Sequence, residues 1–297
     1  CYRRAGQLRL ALASVLGQTY RKLRILVHEN PSDTCEVAEA VAEMAGDDPR
    51  VSYLRHETNI GAHANFGGLL QVAESPYFMW LADDDRLSET FVEDMVRLLE
   101  ADPEAGSAFG GVVLEDASGR IVAELADFST FAERDRRERL LRYLGEPELL
   151  GKASLIYGLH RTDYCREAWN RHLQDYEANG LSAWGLDLVF VFALLASRPW
   201  AFTSASHLIK TMPKISKRGY WHAFPQDFGP PAISFEPFVS DLCAVSPDDE
   251  VRSLVKEAMQ TRQRHEALVG RWRRPLMRIV ERGILPASFM RSRILRR

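Results

Sequence analysis

The sequence predicts an α/β fold, a mostly parallel sheet flanked by helices with a helical, basic C-terminal extension. Three observations predict it. Short apolar runs alternate with helix-spaced segments through the first hundred residues, on connections short enough to call for parallel βαβ units. Residues 77–82 form an apolar, aromatic run that stops at three consecutive carboxylates, Asp83, Asp84 and Asp85. The four cysteines, Cys1, Cys35, Cys165 and Cys243, lie far apart with no CxxC pair, which argues against a disulfide framework or a zinc site.

Taken in order, residues 7–17 have helical spacing, with Leu8, Leu12, Val15 and Leu16 on one face. Residues 23–28 read as a buried strand, and Asn30-Pro31-Ser32-Asp33 as a turn. A helix is predicted over 34–45, broken by Asp47-Asp48-Pro49, then a short strand over 51–54. Asn59 and Gly61 open a helix over 60–72, and the strand over 77–82 follows. Ser88-Glu89-Thr90 caps a helix running to about residue 101. The pattern then changes. A strand over 108–114 contains Gly110 and Gly111, and Asp116-Ala117-Ser118-Gly119 turns the chain into Ile121-Val122. A charged amphipathic helix is predicted over 134–144, a strand over 154–159 and a buried helix over 187–196.

Beyond Pro225 prolines cluster, which marks a boundary: residues 1–225 form one domain, with halves of about 1–115 and 116–225, and 226–297 form a Pro-rich linker and a helical basic region. Residues 261–297 hold eleven Arg and two Glu, a charge of +9, so the rest carries −12 of the net −3. That net charge makes the whole protein a poor partner for nucleic acid, whereas the basic end suits an anionic membrane surface or packing on the body. No uncharged apolar stretch reaches the ~18 residues of a spanning helix. With the cysteine pattern, this leads us to expect a cytoplasmic protein, peripheral at the inner face of the membrane.

Carboxylates crowded at a strand end suit a hard divalent cation. Mg²⁺ takes one or two of them and fills its shell with phosphates and water. In an open α/β sheet that strand end is where ligands bind. A solvated turn or helix-capping acid group is the alternative reading. Asp187 sits just ahead of the apolar residues 188–196, a setting that raises a carboxylate's pKa and suits a general base, and equally suits a helix cap.

The ordered set Ser14-x-Leu16-x-Gln18-Thr19-Tyr20, the strand to Glu29, Asn30-x-Ser32-Asp33, Asn59-x-Gly61 and Trp80-Leu81-Ala82-Asp83-Asp84-Asp85 resembles the inverting family 2 glycosyltransferases. The likeness covers roughly residues 2–201 and implies the Rossmann-like GT-A fold and a hexosyltransferase. Tyr2 matches the tyrosine after that family's first strand. With no such strand ahead of it and no initiator Met, the expectation is that the chain's beginning is missing. The resemblance implies Glu29 and Asp33 at the nucleotide base and ribose, with Glu29 standing where the family has Asp. It implies Asn59 and Gly61 near the nucleotide sugar, Asp83 near ribose and metal, Asp84 between, and Asp85 on Mg²⁺ or Mn²⁺. Asp187 would be the catalytic base, and Arg161, Lys214 or His222 would contact diphosphate or acceptor. Lys210 is a further candidate in that basic stretch, which reads Thr211-Met212-Pro213-Lys214 where the family has Arg-x-His. The implied reaction transfers sugar from a nucleotide-diphosphate donor to a glycan, lipid-linked or protein acceptor in surface polysaccharide or glycolipid synthesis. A non-catalytic sugar-nucleotide-binding module and a sugar-phosphate nucleotidylyltransferase are the alternatives.

Overall fold

Among the described residues two separate sheets, rather than one, carry the strands. The computed structural model describes residues 1–116, 118–124, 128–146, 151–180, 185–211 and 235–263. In the smaller sheet β1 (Ile25–Glu29) and β2 (Val51–Arg55) run parallel, Ile25 opposite Val51 and Glu29 opposite Arg55. Helix α2 (Glu36–Ala45) joins them, a complete βαβ unit. Helix α1 (Ala5–Leu16) precedes them, and its Leu8 and Leu12 are buried with Ile25, Val27, Val37 and Val41 in a small core of their own.

Helix α3 (Gly61–Gln71) leads to the larger sheet. Its strands are β3 (Tyr77–Phe78), β4 (Asp85–Leu87), β5 (Ser107–Glu115), β6 (Ile121–Glu124), β7 (Leu159–Arg161) and β8 (Trp200–Thr211), in the order β3-β7-β5-β8-β4 with β6 paired to β5. The α/β class and the flanking helices are as expected, but this sheet is mixed rather than mostly parallel. Within it β5 and β8 run parallel and the other four pairings are antiparallel. Connection length explains the difference. A parallel pair needs a crossover of a dozen residues or more. The stretch between β5 and β8 supplies one, whereas β5 and β6 are joined by a tight turn in which Gly119 has φ 85° and Asp116 accepts from the amides of Ser118 and Arg120.

The main core lies under this sheet. Helix α4 (Phe91–Ala101) contributes Phe91, Met95 and Leu99, and α5 (Arg136–Gly145) contributes Leu140 and Tyr143. Helix α5 is capped by Asp135, whose carboxylate accepts from the Glu138 amide at 2.9 Å. Helix α6 (Thr162–Asn179) was not apparent from the sequence, because its buried stripe includes Cys165, His172 and Asp175 as well as Trp169. Helix α7 (Gly185–Ser197) is buried on every side from Leu188 to Ala196, as its composition predicts. Helix α8 (Phe235–Ala244) and the helical residues 249–263 add Phe238, Leu242, Val255 and Met259 to the same core.

Two expected strands differ. Residues 79–82 fall outside any strand, because β3 ends at Phe78 and a turn closes at Asp85, whose amide donates to the Ala82 carbonyl at 3.2 Å. Residues 154–157 belong to a 3₁₀ turn (Lys152–Tyr157), and only Leu159 of the expected strand lies in β7; the turn is held where the buried Lys152 ammonium donates to the carbonyls of Tyr143 and Glu146.

Where β5 and β8 change register, a Cβ on Gly110 would lie 2.2 Å from the Ser206 carbonyl oxygen, whereas one on Gly6, inside α1, meets nothing within 4 Å. We therefore predict that Gly110→Ala lowers unfolding stability by ~1–3 kcal/mol through overpacking. Gly6→Ala raises it by roughly 0.5–1 kcal/mol through helix propensity. Urea titration of both variants checks the pair.

Burial pushes His160 and His172 down to about 4. Both stay neutral in the fold while the unfolded chain takes up protons below ~6.5, so stability present above that pH is lost between 6.5 and 4. His160 is satisfied, its Nε2 donating to the Ile156 carbonyl at 3.1 Å and its Nδ1 accepting from Ser107 at 2.7 Å. Neither nitrogen of His172 has a partner. His172→Phe is therefore expected to flatten the loss of stability between pH 6.5 and 4, measured by urea unfolding across that range.

Candidate active site

The site is built where α1, β4 and α4 meet, and a buried glutamine joins them. The Gln18 side chain donates to the carbonyls of Ser14 (3.0 Å) and Ser88 (2.8 Å) and accepts from the Val92 amide (2.9 Å). Ser14 accepts from the Leu87 amide at 3.2 Å, and the Thr19 amide donates to the Glu89 carbonyl at 3.0 Å. The Ser14-to-Tyr20 motif thus ties the end of α1 to the last residue of β4, the segment after it and the first turn of α4; β4 itself begins at Asp85.

The three aspartates fall into two sets. Asp83 and Asp84 lie in a turn and share one guanidinium, that of Arg4, at 3.3 and 2.5 Å. The Tyr2 amide also donates to Asp83 at 3.3 Å. Asp84 is therefore not turned away from Asp83. Asp85 stands apart, 3 % exposed, with Lys210 Nζ 2.5 Å from its Oδ2. The pairing of β4 with β8 sets this contact, since Asp85 lies directly opposite Lys210.

Tyr157 brings Asp187 to the same place. Lys210 Nζ lies 5.0 Å from the Tyr157 ring centroid. Burial raises the Tyr157 hydroxyl well above its ordinary range, and the charges of Asp187 and Asp85 raise it further. Asp187 occupies the first turn of α7. Burial pushes it above the usual carboxylate range, with Lys210 pulling it back. Asp85 is raised by burial in the same way and lowered by Lys210. One buried carboxyl (Asp85), one half-buried carboxyl (Asp187), one ammonium and one phenol thus share a single electrostatic neighbourhood. Tyr157 carries no sequence signal for this role beyond its place ahead of Gly158, and Lys210, a candidate from the basic stretch, is tied to Asp85 by the β4–β8 register.

The remaining candidates are distributed as follows. Glu29 is fully buried at the end of β1. Its Oε2 accepts from the Tyr53 hydroxyl, while Oε1 has no hydrogen-bond partner and lies 4.0 Å from Arg55. Asp33 is exposed and pairs with Arg3 at 3.0 Å. Asn59 accepts from the Gly61 amide at 2.9 Å, and Gly61 has φ 81°, a conformation a side chain would strain. Asn30, which the sequence marks only as turn chemistry, holds this loop, accepting from the Ile60 amide (3.1 Å) and donating to the Gly61 carbonyl (3.2 Å). The Arg161 guanidinium donates to the carbonyls of Leu99 (2.7 Å), in the last turn of α4, and Ala105 (2.9 Å), just past it, and so braces the fold. Lys214, His222 and the basic C-terminal segment lie outside the described residues.

This geometry agrees with the relationships of the chain. A model of glycosyl transferase family 2 matches residues 1–155, just over half of it. The chain belongs to that family. Among curated proteins, the chain is 28% identical over 123 residues to a Rickettsia bellii protein named an uncharacterized glycosyltransferase, and 30% identical over 119 residues to one from Rickettsia conorii. Those stretches are 41% and 40% of this chain but 17% and 19% of the relatives, so the chain spans under a fifth of their length. Among solved structures, S. aureus TarS 1–349 superimposes with a TM-score of 0.57 at 15% identity, over 87% of this chain and 67% of that one. Its complex with UDP-GlcNAc gives 0.55 at 14%, over 88% and 69%. Those likenesses establish the fold. Among the described residues no helix is long and apolar enough to cross a membrane.

The acidic turn has the right donors for a hard cation in kind, and few in number. Among the described residues no three acidic, histidine or cysteine side chains gather to hold a metal ion. A cation here would draw on Asp83 and Asp85 and take its other oxygens from phosphate and water.

Removing Lys210 leaves Asp85 buried without its counter-charge. Lys210→Met is expected to lower stability by roughly 1–3 kcal/mol, less than a fully buried pair because the lysine is partly exposed. Adding Asp85→Asn should return much of that loss. A double-mutant cycle in urea checks it; additive losses would show that the pair is not coupled.

Proposed function

We propose that this glycosyltransferase transfers a sugar from a nucleotide-diphosphate donor to an acceptor hydroxyl with inversion, aided by Mg²⁺ or Mn²⁺. The observation that carries the reading is the gathering of Asp85, Lys210, Tyr157 and Asp187 in one half-buried neighbourhood. Asp187, raised by its burial, is the group suited to take a proton near neutral pH. It removes the acceptor hydroxyl's proton as that oxygen attacks the anomeric carbon. The bond from that carbon to the diphosphate oxygen breaks on the opposite face, and the nucleoside diphosphate leaves with the electron pair. Lys210 supplies positive charge near the leaving group. A divalent cation on Asp83 and Asp85 would neutralise the diphosphate as its charge develops, an effect of several kcal/mol.

The donor side draws on the fold. TarS, whose structure this chain resembles, has been crystallised with UDP-GlcNAc and with UDP. Here the unsatisfied Oε1 of Glu29 is a buried acceptor at the end of β1, suited to an N–H of a nucleotide base. Asn30, the next residue, holds the Asn59-Gly61 loop beside it, and Asp33 would contact the ribose. The acceptor is a surface glycan, a lipid-linked saccharide or a protein, reached from a soluble or peripherally membrane-bound enzyme.

A panel of sugar nucleotides with Mn²⁺ tests the reading. Asp187→Asn should lower kcat by about 10²–10⁴-fold while leaving donor affinity near wild type, the signature of a lost general base. EDTA should remove turnover and Mn²⁺ restore it. The acid limb of kcat/KM should lie above the ordinary carboxylate range, because the base is active only once Asp187 has lost its proton. Unchanged turnover in both Asp187→Asn and Asp85→Asn would defeat the assignment.

A further inference from the structure

Tyr157 is the member of the charged neighbourhood to which the proposed reaction gives no task, yet the chain fixes its place closely. It ends the 3₁₀ turn that begins at Lys152, and Leu155 and Ile156 of that turn are fully buried. The Ser154 amide donates to the Gly151 carbonyl at 2.8 Å, and the Ile156 carbonyl accepts from His160 Nε2 at 3.1 Å. The Gly158 amide donates to the Leu155 carbonyl at 3.0 Å, and a Cβ on Gly158 would lie 2.9 Å from the Ala108 carbonyl oxygen of β5. The backbone is thus held on both sides of Tyr157, whose own side chain stays half-buried.

Its hydroxyl differs from those of the tyrosines in the core. Tyr143 and Tyr164 donate to the carbonyls of Leu188 and Leu194 on α7. Among the described residues the Tyr157 hydroxyl has no hydrogen-bond partner, although four carboxylates act on it, Asp187 most, then Asp85, Asp84 and Asp83. The Lys210 ammonium stands at its ring. A phenol left unpaired in such a place is completed by a ligand. The ligand that fits accepts from the phenol and donates to a carboxylate. A hydroxyl does both, whereas a phosphate oxygen or a carbonyl only accepts, and phosphate adds negative charge where carboxylates already crowd.

Position decides which hydroxyl, a step that rests on the transfer reaction proposed above. In that reaction the anomeric carbon lies in line between the acceptor oxygen at Asp187 and the leaving diphosphate at Asp83 and Asp85. The pyranose spans that interval, and Tyr157 is the side chain common to its two ends. We propose that Tyr157 holds the transferred sugar, its hydroxyl donating to one hydroxyl oxygen of the donor pyranose while that hydroxyl donates to a carboxylate of the site. Tyr157 thereby adds affinity for the glycosyl group and none for the nucleoside diphosphate. A site built to hydrogen-bond a substrate hydroxyl also rejects the analogue that lacks it.

Titration calorimetry in Mn²⁺ tests this on the 297-residue chain, comparing UDP-GlcNAc, UDP-glucose and GDP-mannose with UDP and GDP. For the sugar nucleotide that binds, Tyr157→Phe is expected to weaken binding roughly 3–10-fold, the loss of one hydrogen bond, and to leave its nucleoside diphosphate within about twofold. The ring against Lys210 is kept, so the thermal midpoint of Tyr157→Phe should stay at the wild-type value. Equal weakening of sugar nucleotide and nucleoside diphosphate, or no weakening of either, would overturn the proposal. Binding needs neither acceptor nor base, so such a failure is distinct from failure of the catalytic assignment to Asp187. A wild-type chain that binds none of these nucleotides would defeat the nucleotide-sugar reading, and the role of Tyr157 with it.

Discussion

The buried amide of Gln18 is the constraint from which the site follows. It satisfies two carbonyls and one amide belonging to the end of α1, the segment after β4 and the first turn of α4. A buried polar group without partners costs on the order of 1–3 kcal/mol, so the three segments are held wherever that amide is satisfied. Asp85 begins the strand this clamp fixes. Its burial is tolerable because the same strand lies against β8 in the register that presents Lys210. Fold energetics and site chemistry therefore converge on one short strand.

Electrostatic balance in the site is local. The acidic turn carries three negative charges, and the fold answers them with Arg4 from the start of α1 and Lys210 from β8. Neither cation neutralises all three carboxylates, and the two approach from different elements. The cations are thus already positioned around the carboxylates, an arrangement that lets charge partners exchange more readily than an isolated charge cluster would.

Much of this was legible in the sequence, for identifiable reasons. The βαβ unit of β1, α2 and β2, the capped α4 and the wholly apolar α7 follow from periodicity and turn chemistry. The acidic cluster announced itself because carboxylates rarely crowd after an aromatic run. The hidden features depend on partners far along the chain. Lys210 stands out in the sequence only as one cation of a basic stretch, and its link to Asp85 comes from β4–β8 pairing, 125 residues apart. Helix α6 escaped notice because His172 and Asp175 occupy core positions that composition reads as surface. Arg161 looked like an anion-binding residue, and only the nearby carbonyls of α4 show where its donors go. The strand over 77–82 was over-extended because an apolar run does not reveal where its ladder partner is missing.

The register of β8 has an evolutionary corollary. Side chains of a strand alternate between faces, so one inserted or deleted residue between Trp200 and Lys210 would turn the ammonium to the opposite face of the sheet and set a neighbour against Asp85. The bulge near Gly110 and Ser206 already uses the tolerance that this ladder with β5 allows. Length variation among descendants of this chain should therefore be suppressed within β8 and find its outlet past Thr211, where gains and losses leave the charge opposite Asp85 untouched.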